Sequence, residues 1–310
     1  MLTFFTTAKP FKGHNAIIQR NALQSWKMLH SRVEVILFGD EEGASQVSAD
    51  YGLRHEPYVE RFKQKLPYVN FMFARAEQIG RHNVLCYANC DMILTADFCR
   101  AVEQVRIVCP QFLIVGRRWD SDIVEPIDFS NPSWQEQTRR AALSANNQRD
   151  EWWIDYFVFS RGLFGSDMPP MVVGRPCWDN FTVWKALQKH PVVDASRTVL
   201  AVHQNHGYED PQGHVARLRG EDARRNLGLA GGRGHLRTIA HATLILDAGG
   251  LRPNLGRGWA ELKSRTGELL QILTYKLWLP AWHFLLDITR PIRTALGLRS
   301  KGVTESKEEQ

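Results

Sequence analysis

The sequence predicts an α/β fold in which a mainly parallel sheet is flanked by helices. Short apolar runs rich in β-branched and aromatic residues alternate with segments of helical spacing, the pattern of right-handed βαβ crossovers that cover both faces of a sheet. A chain of 310 residues, 44% of them hydrophobic, carries a substantial core. The first three runs end near Thr6, Asp40 and Asn89, which places three polar strand ends on the rim where open sheets bind ligands.

The elements follow in order. "LTFFTTAKP" reads as a buried strand closed by Pro10, and residues 14 to 30 as a helix carrying Ile17, Ile18, Ala22, Trp26 and Leu29. "VEVILFGDE" is a second strand; "EEGASQVSADYG" and "MFARAEQIGRH" are helices; "NVLCYANCDMIL" is a third strand. A helix from Ala96 to Val105 leads to the strand "QFLIVGRRWD", then to a polar loop and helix over 129 to 151. "WWIDYFVFSRGLF" reads as a strand, "PPMVVGRPCWDNFTVWKALQKH" as a glycine turn and helix, and "VVDASRTVLAVHQNHGY" as a last strand ending in histidines. Residues 209 to 258 form a Gly- and Arg-rich connecting segment with one helix, "TIAHATLIL". Residues 259 to 299 return to helical patterning with Trp259, Trp278, Trp282 and many leucines, and 300 to 310 read as a disordered tail.

A net charge of +6 suits an anionic partner such as a nucleotide or an acidic membrane surface, and equally a merely soluble basic surface. The five cysteines, Cys86, Cys90, Cys99, Cys109 and Cys177, form no CxxC pair and read as reduced core residues. No signal-like leader and no run of about 18 apolar residues is visible, so a cytoplasmic protein is expected.

Four motifs carry chemistry. In "NCD" the side chains of Asn89 and Asp91 lie on one side of an extended chain, so they can share a divalent cation, divide a cation and a sugar hydroxyl, or simply cap the strand in an Asx turn. "AVHQNHGY" brings His203 and His206 to another strand end, where one imidazole added to hard oxygen ligands suits Mn²⁺ or Mg²⁺ better than Zn²⁺. Asp155 in "WWIDYFVFS" is either a general base raised by burial or a structural acceptor paired with an arginine. In "GRPCWDNF", Gly174 allows a tight turn, Asp179 is an N-cap or a carboxylate for a sugar hydroxyl, and Trp178 can lie against a sugar face.

In this order the motifs resemble those of nucleotide-sugar-dependent glycosyltransferases of the GT-A fold, over residues 1 to 208: "TTAKPF", "LFGDE", "NCDMIL", "WIDYFVF", "GRPCWDN" and "VHQNH". The resemblance implies a Rossmann-like, mixed and mainly parallel sheet, a GT-A catalytic domain over 1 to 208, and a helical extension over 259 to 299. It implies nucleotide-sugar contacts from Thr6, Thr7, Ala8, Asp40, Asn89, Trp178 and Asn180, and metal contacts from Asp91 with His203 or His206. Asn89 stands where the family carries the first acid of its Asp-x-Asp motif, so one anionic ligand is missing. Asp155 matches the acceptor-activating acid first and Asp179 second.

The expected reaction moves a sugar from a nucleotide-diphospho-sugar, UDP-linked, to a saccharide or lipid-linked hydroxyl acceptor with inversion, assisted by Mn²⁺ or Mg²⁺, in glycan synthesis at the inner face of a membrane. A sugar-phosphate nucleotidyltransferase is the alternative, but "TTAKPFKGHN" lacks its GxGTR-type loop. A nucleic-acid binder is suggested by the arginines of "HVARLRGEDARRN", yet stacking aromatics are sparse around them, and nucleic acid is not the expected partner. Lys263, Arg265, Lys276, Arg290 and Arg293 interleave with tryptophans and leucines, which suits peripheral membrane contact or a helical cover on the domain.

Overall fold

The computed structural model describes residues 1–273 except 166 and 208–212, and the side chains of 213, 214, 216 and 268–273 are outside the description. Contacts divide the chain into two compact units, Met1–Ala260 and Glu261–Gln310.

The first unit begins with β1 (Thr3–Thr7), α1 (Gly13–Met28), β2 (Glu34–Phe38), α2 (Ala44–Tyr51) and β3 (Arg54–Glu56). A short hairpin, β4 (Arg61–Phe62) and β5 (Leu66–Pro67), precedes α3 (Val69–Ile79), β6 (Val84–Ala88), β7 (Met92–Leu94) and α4 (Ala96–Val108). Next come β8 (Leu113–Val115), β9 (Arg118–Ser121), α5 (Trp134–Ala145), β10 (Tyr156–Ser160), α6 (Trp178–Leu187), β11 (Val192–Asp194) and β12 (Ala201–Gln204). The rest is α7 (Gly213–Arg219), α8 (Glu221–Leu229), β13 (Leu244–Asp247), β14 (Gly250–Pro253) and α9 (Arg257–Leu273), which runs on into the second unit.

Nine strands form the main sheet in the order β14-β13-β11-β8-β10-β6-β1-β2-β3. The expected mixed, mainly parallel sheet is present: β10 and β14 run antiparallel to their neighbours and the remaining pairs are parallel. Alternation along each strand splits the core in two. Phe4, Val35, Cys86 and Val158 face one layer with Trp26 of α1 and Phe98 of α4. Phe5, Ile36, Tyr87 and Phe157 face the other with Phe73 of α3 and Trp178 and Phe181 of α6. All five cysteines are unpaired and four are buried, as expected of core thiols.

The structure corrects several readings of single elements. The runs read as one strand at 83–94, 111–120 and 192–208 are each two strands: β6, β8 and β11 lie in the main sheet, and β7, β9 and β12 form a second sheet in the order β7-β12-β9. The strands on both sides of each break are largely buried, and at the crossing at 115–118 Gly116 is the sole turn signal, so the run reads as continuous from sequence. β10 is antiparallel to β6, with Tyr156 opposite Ala88, which brings the start of one strand to the end of the other.

"TIAHATLIL" is a 3-10 turn (Ile239–His241) followed by β13 rather than a helix, because residues 244–247 pair with β11 and β14. The segment 209–258 is therefore part of the first unit, to which it gives α7, α8 and two sheet strands. Of the expected extension over 259 to 299, α9 covers residues to Leu273; Trp278, Trp282 and the tail at 300 to 310 lie outside the described residues.

Candidate active site

The seam between the two sheets gathers most of the chemistry. At the end of β6 the chain turns through Asn89, Cys90 and Asp91 into β7; Cys90 points into the core while Asn89 and Asp91 stay partly open. Asn89 Nδ2 donates to Asp155 Oδ1 at 2.5 Å, and Asn89 Oδ1 accepts from Tyr87 Oη at 3.1 Å. Both ends of the Asn89 amide are thus hydrogen-bonded within the protein.

The partners of Asp91 are the two histidines. Its Oδ2 lies 3.1 Å from His206 Nε2 and 3.7 Å from His203 Nε2, and one ligand atom of each residue falls within 4.8 Å of the others. Asp91 Oδ1 is buried with no hydrogen-bond partner. An orphaned carboxylate oxygen beside two imidazole nitrogens fits a divalent cation, which takes such donors at about 2.0–2.2 Å. Where the sequence reading adds one imidazole to the site, the geometry brings both.

Burial alone would raise the Asp91 carboxyl, but His203, the hydrogen bond from His206 and Arg118 hold it at about 2. Burial likewise works to lower His203, and Asp91 and Asp120 outweigh it to raise the ring. Gln204 fixes the turn: its backbone N–H and its Nε2 both donate to Asp91 O at 3.1 Å, Nε2 also to Ile18 O at 2.8 Å, and its Oε1 accepts from Asn21 at 2.9 Å.

A buried network backs this cluster. Arg118 Nη1 donates to Asp155 Oδ2 at 2.6 Å and Arg118 Nε to Asp120 Oδ1 at 2.9 Å. Arg149 Nε donates to Asp120 Oδ2 at 2.5 Å, and Trp153 lies against both guanidinium groups, at 5.0 and 5.4 Å. Asp155 is therefore the arginine-paired acceptor that the sequence left open. Burial opposes ionisation of Asp120, but the His203 ring 3.3 Å away and the charge of Arg118 hold it well below the usual carboxylate range. Sequence reasoning missed Arg118, Asp120 and Arg149. The signal was "RWD", two charges at alternate positions of a strand, the same spacing that singled out Asn89 and Asp91.

Asp179 sits in the first turn of α6, whose N-cap is Cys177 in left-handed backbone at φ 85°, strain of a kind that gathers at functional sites. Gly174, at φ 76°, lets the preceding loop make its turn. The Asp179 carboxyl accepts from Asn180 N at 2.9 Å; burial and the charge of Asp155 raise it to about 7.

Trp178 is buried against Tyr87 and Phe157, so its face has no room for a sugar, and Asn180 Nδ2 is spent on Arg237 O. Both are core residues, a correction to the nucleotide-sugar contacts expected of them. Thr6 is fully buried and Ala8 packs on the core, whereas Thr7 Oγ1 has no partner. Asp40 is exposed beside a cavity of about 500 Å³ lined also by Tyr58, Arg61, Gln64 and Tyr68.

Fold and site together define an α/β chain with a metal-competent cluster at the carboxyl ends of its strands. No protein-family model matches the sequence, and no curated protein does. Among solved structures the chain is similar to S. aureus TarS 1-349 in complex with UDP-GlcNAc: identity is 10%, coverage is 76% of this chain and 72% of that one, and the TM-score is 0.47. It is also similar to glucosyl-3-phosphoglycerate synthase from Mycobacterium tuberculosis in complex with Mg²⁺ and uridine diphosphate, at 12% identity over 75% of this chain and 80% of that one, with a TM-score of 0.45. Likenesses this distant carry no argument about activity, which rests on this chain's own side chains.

Proposed function

We propose that the protein is a glycosyltransferase that moves a sugar from a nucleotide-diphospho-sugar, UDP-linked, to a saccharide or lipid-linked hydroxyl, with inversion and with Mn²⁺ or Mg²⁺ bound. The convergence of Asp91, His203 and His206 on one point, with Asp155 and Asp179 close behind, carries the reading. Asp91 and the imidazoles of His203 and His206 would hold the ion, and three protein donors leave coordination positions open for diphosphate oxygens. When bound, a divalent cation neutralises the charge that builds on the departing diphosphate.

Thr7 Oγ1 and Asp40, at the ends of β1 and β2, face the donor nucleoside, and the cavity beside Asp40 supports a base there. Asp179 accepts the proton of the acceptor hydroxyl as that oxygen attacks the anomeric carbon opposite the diphosphate. A base titrating near the working pH is the efficient choice. The sequence put Asp155 first for this role. Its two oxygens, engaged by Asn89 and Arg118, support Asp179 instead and leave Asp155 to organise the seam.

Peripheral contact with the inner face of a membrane, through residues 259 to 299, is part of the same reading. Trp259 is 77% exposed beside Arg257, Lys263 and Arg265.

Thermal unfolding with Mn²⁺ and a panel of nucleotide sugars tests the donor. A ligand at 100 times its Kd adds about 2.7 kcal/mol to the native state. A UDP-sugar is expected to raise the midpoint only with the metal present; a panel in which no nucleotide sugar shifts it sinks the proposal.

A further inference from the structure

We propose that Asp120 supplies, through His203, the second carboxylate that the Asn-x-Asp motif lacks. Asp120 is 1% exposed on β9, which runs parallel to β12 in a register that sets Asp120 opposite His203. Its Oδ1 faces His203 Nδ1 at 3.3 Å, while the far nitrogen of the ring, Nε2, faces Asp91 Oδ2 at 3.7 Å. The imidazole lies between two carboxylates from different strands. The 3.3 Å approach is an ion-pair contact whose angle is not that of a formed hydrogen bond; a proton on Nδ1 would be drawn to Asp120 and leave the Nε2 lone pair for a cation. A carboxylate behind a metal-binding imidazole fixes its tautomer and strengthens it as a ligand.

Asp120 is a positioning residue and not itself a ligand. Arg118 and Arg149 hold its two oxygens, and neither oxygen belongs to the cluster of Asp91, His203 and His206. Asn89 carries no charge, and its amide hydrogen-bonds to Tyr87 and Asp155. A carboxylate thus stands on β9 one imidazole away from the cation, with its charge shared with Arg118 and Arg149. The direct donor set becomes one carboxylate and two imidazoles, which suits Mn²⁺ better than Mg²⁺, an ion that prefers oxygen throughout. This inference rests on the metal reading of the cluster and adds the group that orients it.

Titration of Mn²⁺ into the full chain, with the free ion followed by electron paramagnetic resonance, tests the role without any donor or acceptor. Asp120→Asn is expected to bind Mn²⁺ about 10–100-fold more weakly than the unmodified chain. A second measurement needs no change at Asp120. Long-range ¹H–¹⁵N spectra of the histidine rings, taken with Zn²⁺ as a diamagnetic probe and assigned by the signal that His203→Gln removes, are expected to place the His203 proton on Nδ1. A proton on Nε2 overturns the proposal, as does a folded Asp120→Asn chain that binds Mn²⁺ within about threefold of the unmodified protein. An unmodified chain that binds no Mn²⁺ at all would instead overturn the metal reading on which the proposal rests.

Discussion

At the scale of single residues, the amide of Asn89 belongs to Asp155, and this accounts for asparagine at a position where the resembling family carries an acid. An aspartate there would set two carboxylates at hydrogen-bond distance beside Asp155, where one of them must hold a proton. Asn89→Asp is therefore expected to cost about 1–3 kcal/mol near neutrality. The folded-state pKa of the new pair is raised above its unfolded value, so the loss shrinks as pH falls and grows as pH rises. Urea unfolding at pH 5 and pH 8 checks this; equal losses at both would show that the amide's donor role is unimportant. Asp179 carries the opposite prediction for activity. With its carboxyl at about 7, kcat rises with pH through that value as the base ionises, and Asp179→Asn lowers kcat by about 10²–10⁴-fold while UDP-sugar affinity holds. The same raised pKa means that ionising Asp179 costs the folded state stability as pH climbs through 7, so the asparagine variant should unfold no earlier than the unmodified chain at pH 8. Unchanged turnover in that variant removes Asp179 as the base.

At the scale of elements, the site exists because three chain segments leave the main sheet for the small one at the same seam, and Gln204 ties two of them together. It takes the Asp91 carbonyl from β12 and also engages Ile18 and Asn21 of α1. Gln204→Leu leaves the Ile18 carbonyl and the Asn21 amide without that partner, at about 1–3 kcal/mol for each buried group left unsatisfied. It should also weaken Mn²⁺ binding, because Gln204 holds the Asp91 carbonyl and ends the strand that carries His203. A variant destabilised by urea yet binding Mn²⁺ normally would separate the clamp from the cluster. The sequence showed this region only in part. Polar interruptions at Asn89–Asp91 and His203–His206 were legible because strands buried on both faces leave few reasons for such residues. The crossing between β8 and β9 was not, since "LIVGRRWD" carries no turn signal beyond Gly116, and strand direction depends on pairing partners far along the chain, as with β10. Trp178 shows the limit from the other side: a tryptophan before an acid fits both a sugar platform and a core anchor, and only its packing on Tyr87 and Phe157 decides for the core.

At the scale of the whole molecule, the net charge of +6 meets an exposed apolar stretch near the start of α9. Leu255 is 88% exposed and Trp259 77%, with Leu262 about half open and Arg257, Lys263 and Arg265 close along the same segment. A tryptophan left so open, among cations, suits the headgroup layer of an anionic bilayer, where each basic residue adds about 1 kcal/mol and the apolar side chains add more. None of the described helices is long and apolar enough to cross a membrane, so contact along the surface is the mode this segment supports. The full chain is expected to float with vesicles containing phosphatidylglycerol, less so as salt shortens the screening length from about 10 Å at 0.1 M to about 3 Å at 1 M. Trp259→Glu combined with Lys263→Glu should sediment free of the vesicles while UDP-sugar binding is unchanged, because neither residue lies among the groups that meet the donor. Flotation that survives both the double variant and high salt would place the lipid contact elsewhere on the chain; no flotation of the unmodified protein would remove the membrane from the reading and leave the acceptor to be sought among soluble saccharides.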